Sequence, residues 1–394
     1  MIFMLASDQR SSVRGAEGHG GHGGGAMLCR VCDAQTFVSV SAGLMSMALS
    51  TVIPTDRPTN QCLHNSDTFK YYVYTCTYMV VFPVAFLCNI GALVAFHRMK
   101  KKSTSSCRVV MMNLAISDWS FSLTLPLRLV YYFHNRSWIF PDWLCRLCTY
   151  SFYVNLYSSI LFLTLLSLLR WVAVAKPFKQ SFESKPRQVS LVCLAIWLFV
   201  GLASIPFLSE GVVKRDGVPR CFETSSHSSW CRISILNYIG LVFGFLLPFL
   251  TILFSYLRIV PILRSHRTEG FTMSTADPRS RRDGKRSVYL VAMVMVTFLI
   301  CFLPYHLIRT LHLHSMCGNW SCGVKVPLQR AVSVTLCMAV SNCVVNPLLY
   351  YYSTKSFRDD AQKVGFSCRF SRFSRLGFVR DQAAKEDNNS LSMN

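Results

Sequence analysis

The chain has 394 residues, 52% hydrophobic and only 15% charged, with a mean hydropathy of +0.33, which is too apolar for a soluble enzyme of this length. Its net charge of +22 invites a nucleic-acid reading, but no nucleic-acid-binding motif accompanies the charge, and no nucleic acid is expected as a partner. The surplus sits in loops and in the tail, where it suits anionic membrane lipids, and no nucleophile–base pair, metal-ligand set or phosphate loop points to an enzyme.

Residues 1–70 read as an extracellular, disordered N-terminal region. The stretch His19-Gly20-Gly21-His22-Gly23-Gly24-Gly25 cannot bury a core, and Phe37–Ile53 reads either as a signal-like segment or as the product of an upstream start codon. Seven apolar stretches follow: Tyr71–His97, Val109–Tyr132, Cys145–Val174, Val189–Leu208, Ile233–Leu263, Ser287–His314 and Ala331–Tyr352. Each is long enough, as a helix, to cross a hydrocarbon core of ~30 Å. The expected fold is therefore an all-α membrane protein, a seven-transmembrane helix bundle over residues 71–352. Residues 353–394 form a cytoplasmic tail that opens with a short amphipathic, interfacial helix, and Cys368 there is a candidate for palmitoylation.

Lys and Arg crowd the loops after the first, third and fifth stretches (Lys100, Lys101, Lys102; Lys176, Lys179, Lys185; Arg279, Arg281, Arg282) and are sparse after the second, fourth and sixth. Positive loops stay in the cytoplasm, so the N-terminus is expected outside and the C-terminus inside, in a multi-pass protein of the plasma membrane.

The second stretch carries Asp118 in the run Asn113-Leu114-Ala115-x-x-Asp118, and a carboxylate in hydrocarbon needs a cation, a proton or donors. Ser159, Asn342 and Asn346 fall at about its depth. They are expected either to hold a small cation such as sodium with it or to close as a hydrogen-bonded cluster. No other metal or cofactor is expected.

In the third stretch, Cys145 and Arg170 lie 25 residues apart and so mark opposite membrane faces. A disulfide from Cys145 to the second outer loop would hold that loop over the bundle; Cys221 and Cys231 are both candidates, with Cys221 favoured because Cys231 lies close to the fifth stretch. Pro248, Pro304 and Pro347 each free a backbone carbonyl and create a bend. Asn135-Arg136-Ser137 and Asn319-Trp320-Ser321 are glycosylation sequons on the expected outer face.

Taken together and in this order, these residues resemble the rhodopsin-like G-protein-coupled receptors over roughly residues 70–370. The matching positions are Asn89, Asn113 to Asp118, Cys145, Arg170, Trp197, Pro248 with Tyr256, Phe298-x-x-Cys301-Phe302-x-Pro304-Tyr305, and Asn346-Pro347-x-x-Tyr350. Within that family, Cys301-Phe302-Leu303-Pro304-Tyr305-His306 and Pro347-Leu348-Leu349-Tyr350-Tyr351 look most like cysteinyl leukotriene receptors, the second subtype especially, in the branch that also holds purine-nucleotide receptors. One departure is Leu169, where the family usually has an acid beside the third-helix Arg, so a weaker resting-state lock is expected.

The resemblance implies an activation switch of Arg170, Tyr256, Phe298, Phe302, Pro304, Pro347 and Tyr350. It also implies a heterotrimeric G-protein partner, of Gq type, with arrestin as a further candidate. A second disulfide is implied from Cys62 to Cys322 or Cys317, the alternative being a Cys317–Cys322 bridge within the loop.

No acid stands where an amine ligand would need one, whereas Arg128, His306, Arg309 and Arg330, with Tyr153 and Tyr157, suit an anion. The expected ligand is an anionic lipid mediator such as a cysteinyl leukotriene, the alternative a nucleotide or dicarboxylate. A secondary transporter is the rival of a different class; Asp118 is the one midplane acid, and no internal repeat is found.

Overall fold

The computed structural model describes residues 66–98, 105–175, 185–209, 211–215, 217–224, 226–269, 278–318 and 320–353. The Gly/His-rich leader, Cys62, Asn319 and the tail helix with Cys368 lie outside them.

Seven helical passes form one bundle, numbered here α1–α7. They are α1 (Ser66–Arg98), α2 (Ser106–Ser122 with Leu125–Phe133), α3 (Asp142–Ala175) and α4 (Pro186–Ser204, ending in the 3₁₀ turn Ile205–Ser209). Then follow α5 (His227–Ile239, Gly240–Leu246, Leu247–Glu269), α6 (Pro278–Thr297, Phe298–Phe302, Leu303–Cys317) and α7 (Cys322–Val340 with Asn342–Ser353). All but α2 are, as single helices, long and apolar enough to cross a membrane. The second pass is divided at Leu123–Thr124 into two shorter segments, and its polar residues Asn113 and Asp118 dilute its apolar character. Pro126 explains the break: it cannot donate to the carbonyl of Ser122, and its ring crowds that carbonyl. Nearby hydroxyls bond other carbonyls of the turn, Ser122 to Trp119 at 2.6 Å and Thr124 to Phe121 at 2.8 Å.

Pro248 and Pro304 act differently from a simple kink. Each is preceded by a π-wound segment, Gly240–Leu246 in α5 and Phe298–Phe302 in α6, so the helix absorbs the lost hydrogen bond by widening rather than breaking. In α7 the interruption falls at Ser341, before Pro347.

Several passes begin before the expected points, α6 and α7 by the widest margin, at Pro278 rather than Ser287 and at Cys322 rather than Ala331. The early start of α7 moves Lys325 from the loop into the helix. Hydropathy failed here because the added residues include Gln329, which faces a polar cavity and not lipid.

α3 is the hub. Its buried positions Cys148, Phe152, Asn155, Ser159, Phe162 and Leu166 recur every three or four residues and so line one face. On α4, Leu191, Leu194, Leu198 and Leu202 recur at the same spacing but are exposed, as a lipid-facing helix requires.

Over one end of the bundle lies a hairpin, β1 (Val213–Arg215) with β2 (Val218–Arg220), antiparallel with Lys214 opposite Pro219. The dipeptide Asp216-Gly217 is a strong hairpin-turn pair, and Gly217 takes the left-handed φ of 75° that such a turn needs. Cys145 pairs with Cys221, fastening the hairpin to α3, and Trp138 donates its backbone N–H to the carbonyl of Pro219 at 2.8 Å.

A second bridge joins Cys231 at the start of α5 to Cys317 at the end of α6. It corrects the sequence expectation for Cys317, which pairs neither with Cys62 nor with Cys322. Because α5 begins at His227, Cys231 lies inside the helix beside the last turn of α6. Cys322 is also disulfide-bonded, and the expected Cys62 partner falls outside the described residues.

Candidate functional site

Beneath the hairpin a cavity of about 550 Å³ opens between the passes. Among the described residues, the basic ones on its wall are Lys70, Arg128, Arg136, Lys214, Arg215 and Arg309, and the acid is Glu223. Glu223 already pairs with Arg215 at 3.4 Å and with Arg220 at 3.6 Å, so the described lining residues carry a positive surplus. Tyr74, Tyr78, Phe152, Tyr153, Phe207 and Tyr305 supply an aromatic wall. A site of this size with few convergent charges and much apolar surface suits a small ligand with an anionic head and a greasy body.

Arg128 is buried on α2 and donates to the carbonyl of Cys148 at 2.9 Å. Its guanidinium lies 4.3 Å from the ring centroid of Phe222, the residue after Cys221 in the loop, and 5.9 Å from that of Phe152. It is thus an interior residue and no interfacial anchor. Phe222 adopts φ 65°, a conformation L residues seldom take, and there packs edge-on against Tyr131 and Trp138.

Arg309 of α6 lines the same cavity, within electrostatic reach of Tyr153, Tyr305 and Tyr74. The Tyr153 ring stacks on Phe207 with centroids 3.6 Å apart. Arg128, Tyr153 and Arg309 therefore share one cavity.

Tyr157, His306 and Arg330 do not line it. Tyr157 passes over α5 at Gly240 and Gly244, where any side chain would strike its ring, and lies 6.1 Å from the ring of His306. His306 is buried and stacked on Phe245 at 4.6 Å. Arg330 sits 5.8 Å from the ring of Phe69 on α1. The cavity also recruits residues that sequence reasoning passed over, among them Lys70, Tyr74, Tyr305 and Phe222. Tyr305 alone carried a signal, standing four residues before Arg309 on the same helix face.

Lower in the bundle, Asp118 is fully buried and hydrogen-bonded on both oxygens. Asn155 donates to Oδ1 at 2.9 Å, Ser159 to Oδ1 at 3.4 Å and Asn346 to Oδ2 at 2.8 Å. Asn155 was not anticipated, although it stands one helical turn before Ser159; it also donates to Ser117, which in turn meets Ser158 at 2.7 Å. Asn342 lies one turn before Asn346, and the Oδ1 atoms of both are buried without a hydrogen-bond partner. Unsatisfied oxygens beside a carboxylate form a donor set that suits a hard monovalent cation.

The residues of the expected switch occupy the lower half. Phe298 packs edge-on against Phe302 at 5.2 Å and lies 6.2 Å from Phe245 on α5. Tyr350 is buried against Phe96. Arg170 is half-buried, with Leu169 beside it pointing into the core and Trp171 packing on Phe254. Trp197 donates its indole N–H to Asn113 at 2.9 Å, tying α4 to α2. On the hairpin side of the molecule, Asn135 of the first sequon is exposed.

A seven-pass bundle with a disulfide-pinned hairpin over a polar cavity and a buried carboxylate below it is the layout of a membrane receptor. The family model described as 7 transmembrane receptor (rhodopsin family) matches residues 88–350, and the chain belongs to that family. It is a multi-pass membrane receptor that works with a heterotrimeric G protein, and it is not an enzyme. Among curated relatives, cysteinyl leukotriene receptor 2 of Sus scrofa is 37% identical over 323 residues, covering 80% of this chain and 89% of that protein. Cysteinyl leukotriene receptor 1 of Cavia porcellus is 36% identical over 302 residues, covering 76% and 86%. Lysophosphatidic acid receptor 6 of Gallus gallus is 33% identical over 306 residues, covering 76% and 96%.

Proposed function

We propose that this receptor detects an anionic lipid mediator, a cysteinyl leukotriene, at the plasma membrane and signals through a Gq-type G protein and calcium. The observation that carries the reading is the cavity that Arg128 of α2 and Arg309 of α6 line together with aromatic rings, Glu223 being the one acid among its described lining residues. An arginine fork at either side suits a ligand with more than one acidic group, and the rings of Phe152, Phe207 and Tyr305 suit its hydrocarbon. The relatives named for cysteinyl leukotrienes and for lysophosphatidic acid support the lipid class.

Bound between Arg128 on α2 and Arg309 on α6, such a ligand draws the outer ends of the two helices together. Tension on α6 is relieved at its π-wound turn before Pro304, where Phe298 and Phe302 repack. The ligand shifts the equilibrium only by its differential affinity for that arrangement. At the other end Arg170, Tyr256 and Tyr350 exchange partners and a cleft opens for the G protein, with arrestin competing for the same end. We also propose a sodium ion held at Asp118, Ser159, Asn342 and Asn346, which favours the resting arrangement. The N-terminus lies outside and the C-terminus in the cytoplasm.

The test is a calcium assay in transfected cells challenged with cysteinyl leukotrienes, lysophosphatidic acid, nucleotides and dicarboxylates, with and without a Gq inhibitor. A response to cysteinyl leukotrienes at nanomolar doses, abolished by the inhibitor, is expected. A response confined to nucleotides or dicarboxylates would overturn the lipid assignment.

A further inference from the structure

His312 stands on the cavity wall one turn above Arg309, and its role follows from what it lacks. The side chain is buried, yet neither ring nitrogen has a hydrogen-bond partner. Leaving a buried donor and acceptor unpaired is costly, so such a residue on a cavity wall needs a partner from elsewhere. Its neighbours supply none. Trp230 of α5 presents a ring edge at 5.7 Å, and the charged groups acting on the imidazole, Arg309 and Lys70, are both cations with protons to donate and no lone pair to offer.

His306 sharpens the comparison. It too is buried without a hydrogen bond, but it lies off the cavity with its ring stacked on Phe245, where packing accounts for it. His312 lines the cavity itself, together with Trp230, Met316 and Lys70.

Building on the proposed anionic ligand, we propose that His312 is a ligand-contacting residue that bonds a hydroxyl or amide of that ligand, next to the acidic group held by Arg309. In its neutral form an imidazole offers one donor and one acceptor, which matches a group that both donates and accepts. Residues three apart on a helix have side chains roughly 5–6 Å apart, so the hydroxyl or amide lies within a few bonds of the acid. An anion bearing a carboxylate alone leaves His312 unpaired and binds less well.

The experiment compares wild type with His312→Phe, which keeps a ring but neither hydrogen-bonding atom, and with His312→Gln, which keeps a donor and an acceptor. Saturation binding of a radiolabelled cysteinyl leukotriene and of lysophosphatidic acid is measured on membranes, alongside surface level and thermal stability in detergent. Loss of one well-made hydrogen bond predicts an affinity about tenfold lower for His312→Phe, with His312→Gln restoring most of it. Should His312→Phe fail to reach the surface, His312→Leu takes its place against His312→Gln. Unchanged affinity in the apolar variant, or equal loss in the apolar and Gln variants, would overturn the assignment while leaving the proposed ligand class standing. Absence of wild-type binding to either lipid would overturn the ligand class and the role of His312 with it.

Discussion

Asn89 on α1 donates its side-chain amide to the carbonyl of Cys343 on α7 at 2.9 Å, and Cys343 stands four residues before Pro347. A proline has no N–H for the carbonyl one turn back, so Asn89 fills a gap that Pro347 makes. The same amide bonds Ala85 within α1 at 2.9 Å. Replacing Asn89 with Ala removes both bonds and leaves a buried carbonyl exposed to nothing. Asn89→Ala is expected to cost about 1–3 kcal/mol, seen as a melting point several degrees lower for the purified receptor. An unchanged melting point would mean that the Cys343 carbonyl finds another donor.

Arg309 is the cavity's α6 cation and shares its wall with Tyr153. Arg309→Ala should lower agonist potency at least tenfold, since charge-assisted bonds contribute ~1.5–3 kcal/mol, with surface level close to wild type. Arg309→Lys keeps the charge but loses the fork and should fall between the two. Calcium dose–response curves normalised to surface expression decide it, and equal potency in all three would remove Arg309 from the ligand site.

The Cys231–Cys317 bridge ties α5 to α6 beside the cavity, separately from the Cys145–Cys221 bridge to α3. Because the two cysteines of a bridge act as one unit, Cys231→Ser, Cys317→Ser and the double variant should lose the same stability, about 2–4 kcal/mol. Mass mapping of non-reduced peptides should recover Cys231 joined to Cys317. Additive losses in the double variant would show that the two thiols act separately.

How far the sequence could be read depends on where each residue faces. The lipid-facing passes were legible because their apolar length records the bilayer, and the proline, Asp118 and Arg170 positions were legible because such groups are costly in hydrocarbon. The starts of α6 and α7 were not, since the added residues are polar or charged, among them Arg279, Arg281 and Lys285 in α6 and Lys325 and Gln329 in α7. Pairing of Cys231 with Cys317 was equally hidden, because it depends on how far α5 and α6 extend beyond the apolar core. Arg128 and Arg330 looked alike as arginines near the ends of passes, and only packing separates the one facing Phe222 from the one facing Phe69. The hairpin was recorded in Asp216-Gly217, a local signal hidden among loop residues.

Asp118 draws hydrogen bonds from Asn155, Ser159 and Asn346, while the Oδ1 atoms of Asn342 and Asn346 have no protein partner. If sodium occupies this cluster and favours the resting arrangement, agonist affinity should fall as NaCl replaces choline chloride at constant ionic strength. Asp118→Asn removes the charge that would hold the ion, and its agonist affinity should be indifferent to that replacement. Competition binding in the two salts measures this. Equal salt sensitivity in the variant would place the ion elsewhere.

Leu169 occupies the position before Arg170 and is buried, so no carboxylate at that position holds the arginine at rest. A lock made by a neighbouring acid disfavours the active arrangement, and removing even ~1.4 kcal/mol of it raises the active fraction about tenfold when that fraction is small. The receptor should therefore signal above mock-transfected cells in the absence of ligand. Leu169→Asp restores an acid beside Arg170 and should bring that basal signal down, provided surface level is matched, because burying an aspartate also strains folding. Leu169→Gln, similar in size and polarity but without the charge, separates the two effects: it should leave the basal signal high. Basal inositol phosphate accumulation, plotted against receptor number for the three proteins, reads the result, and a wild-type line with zero slope would remove the argument.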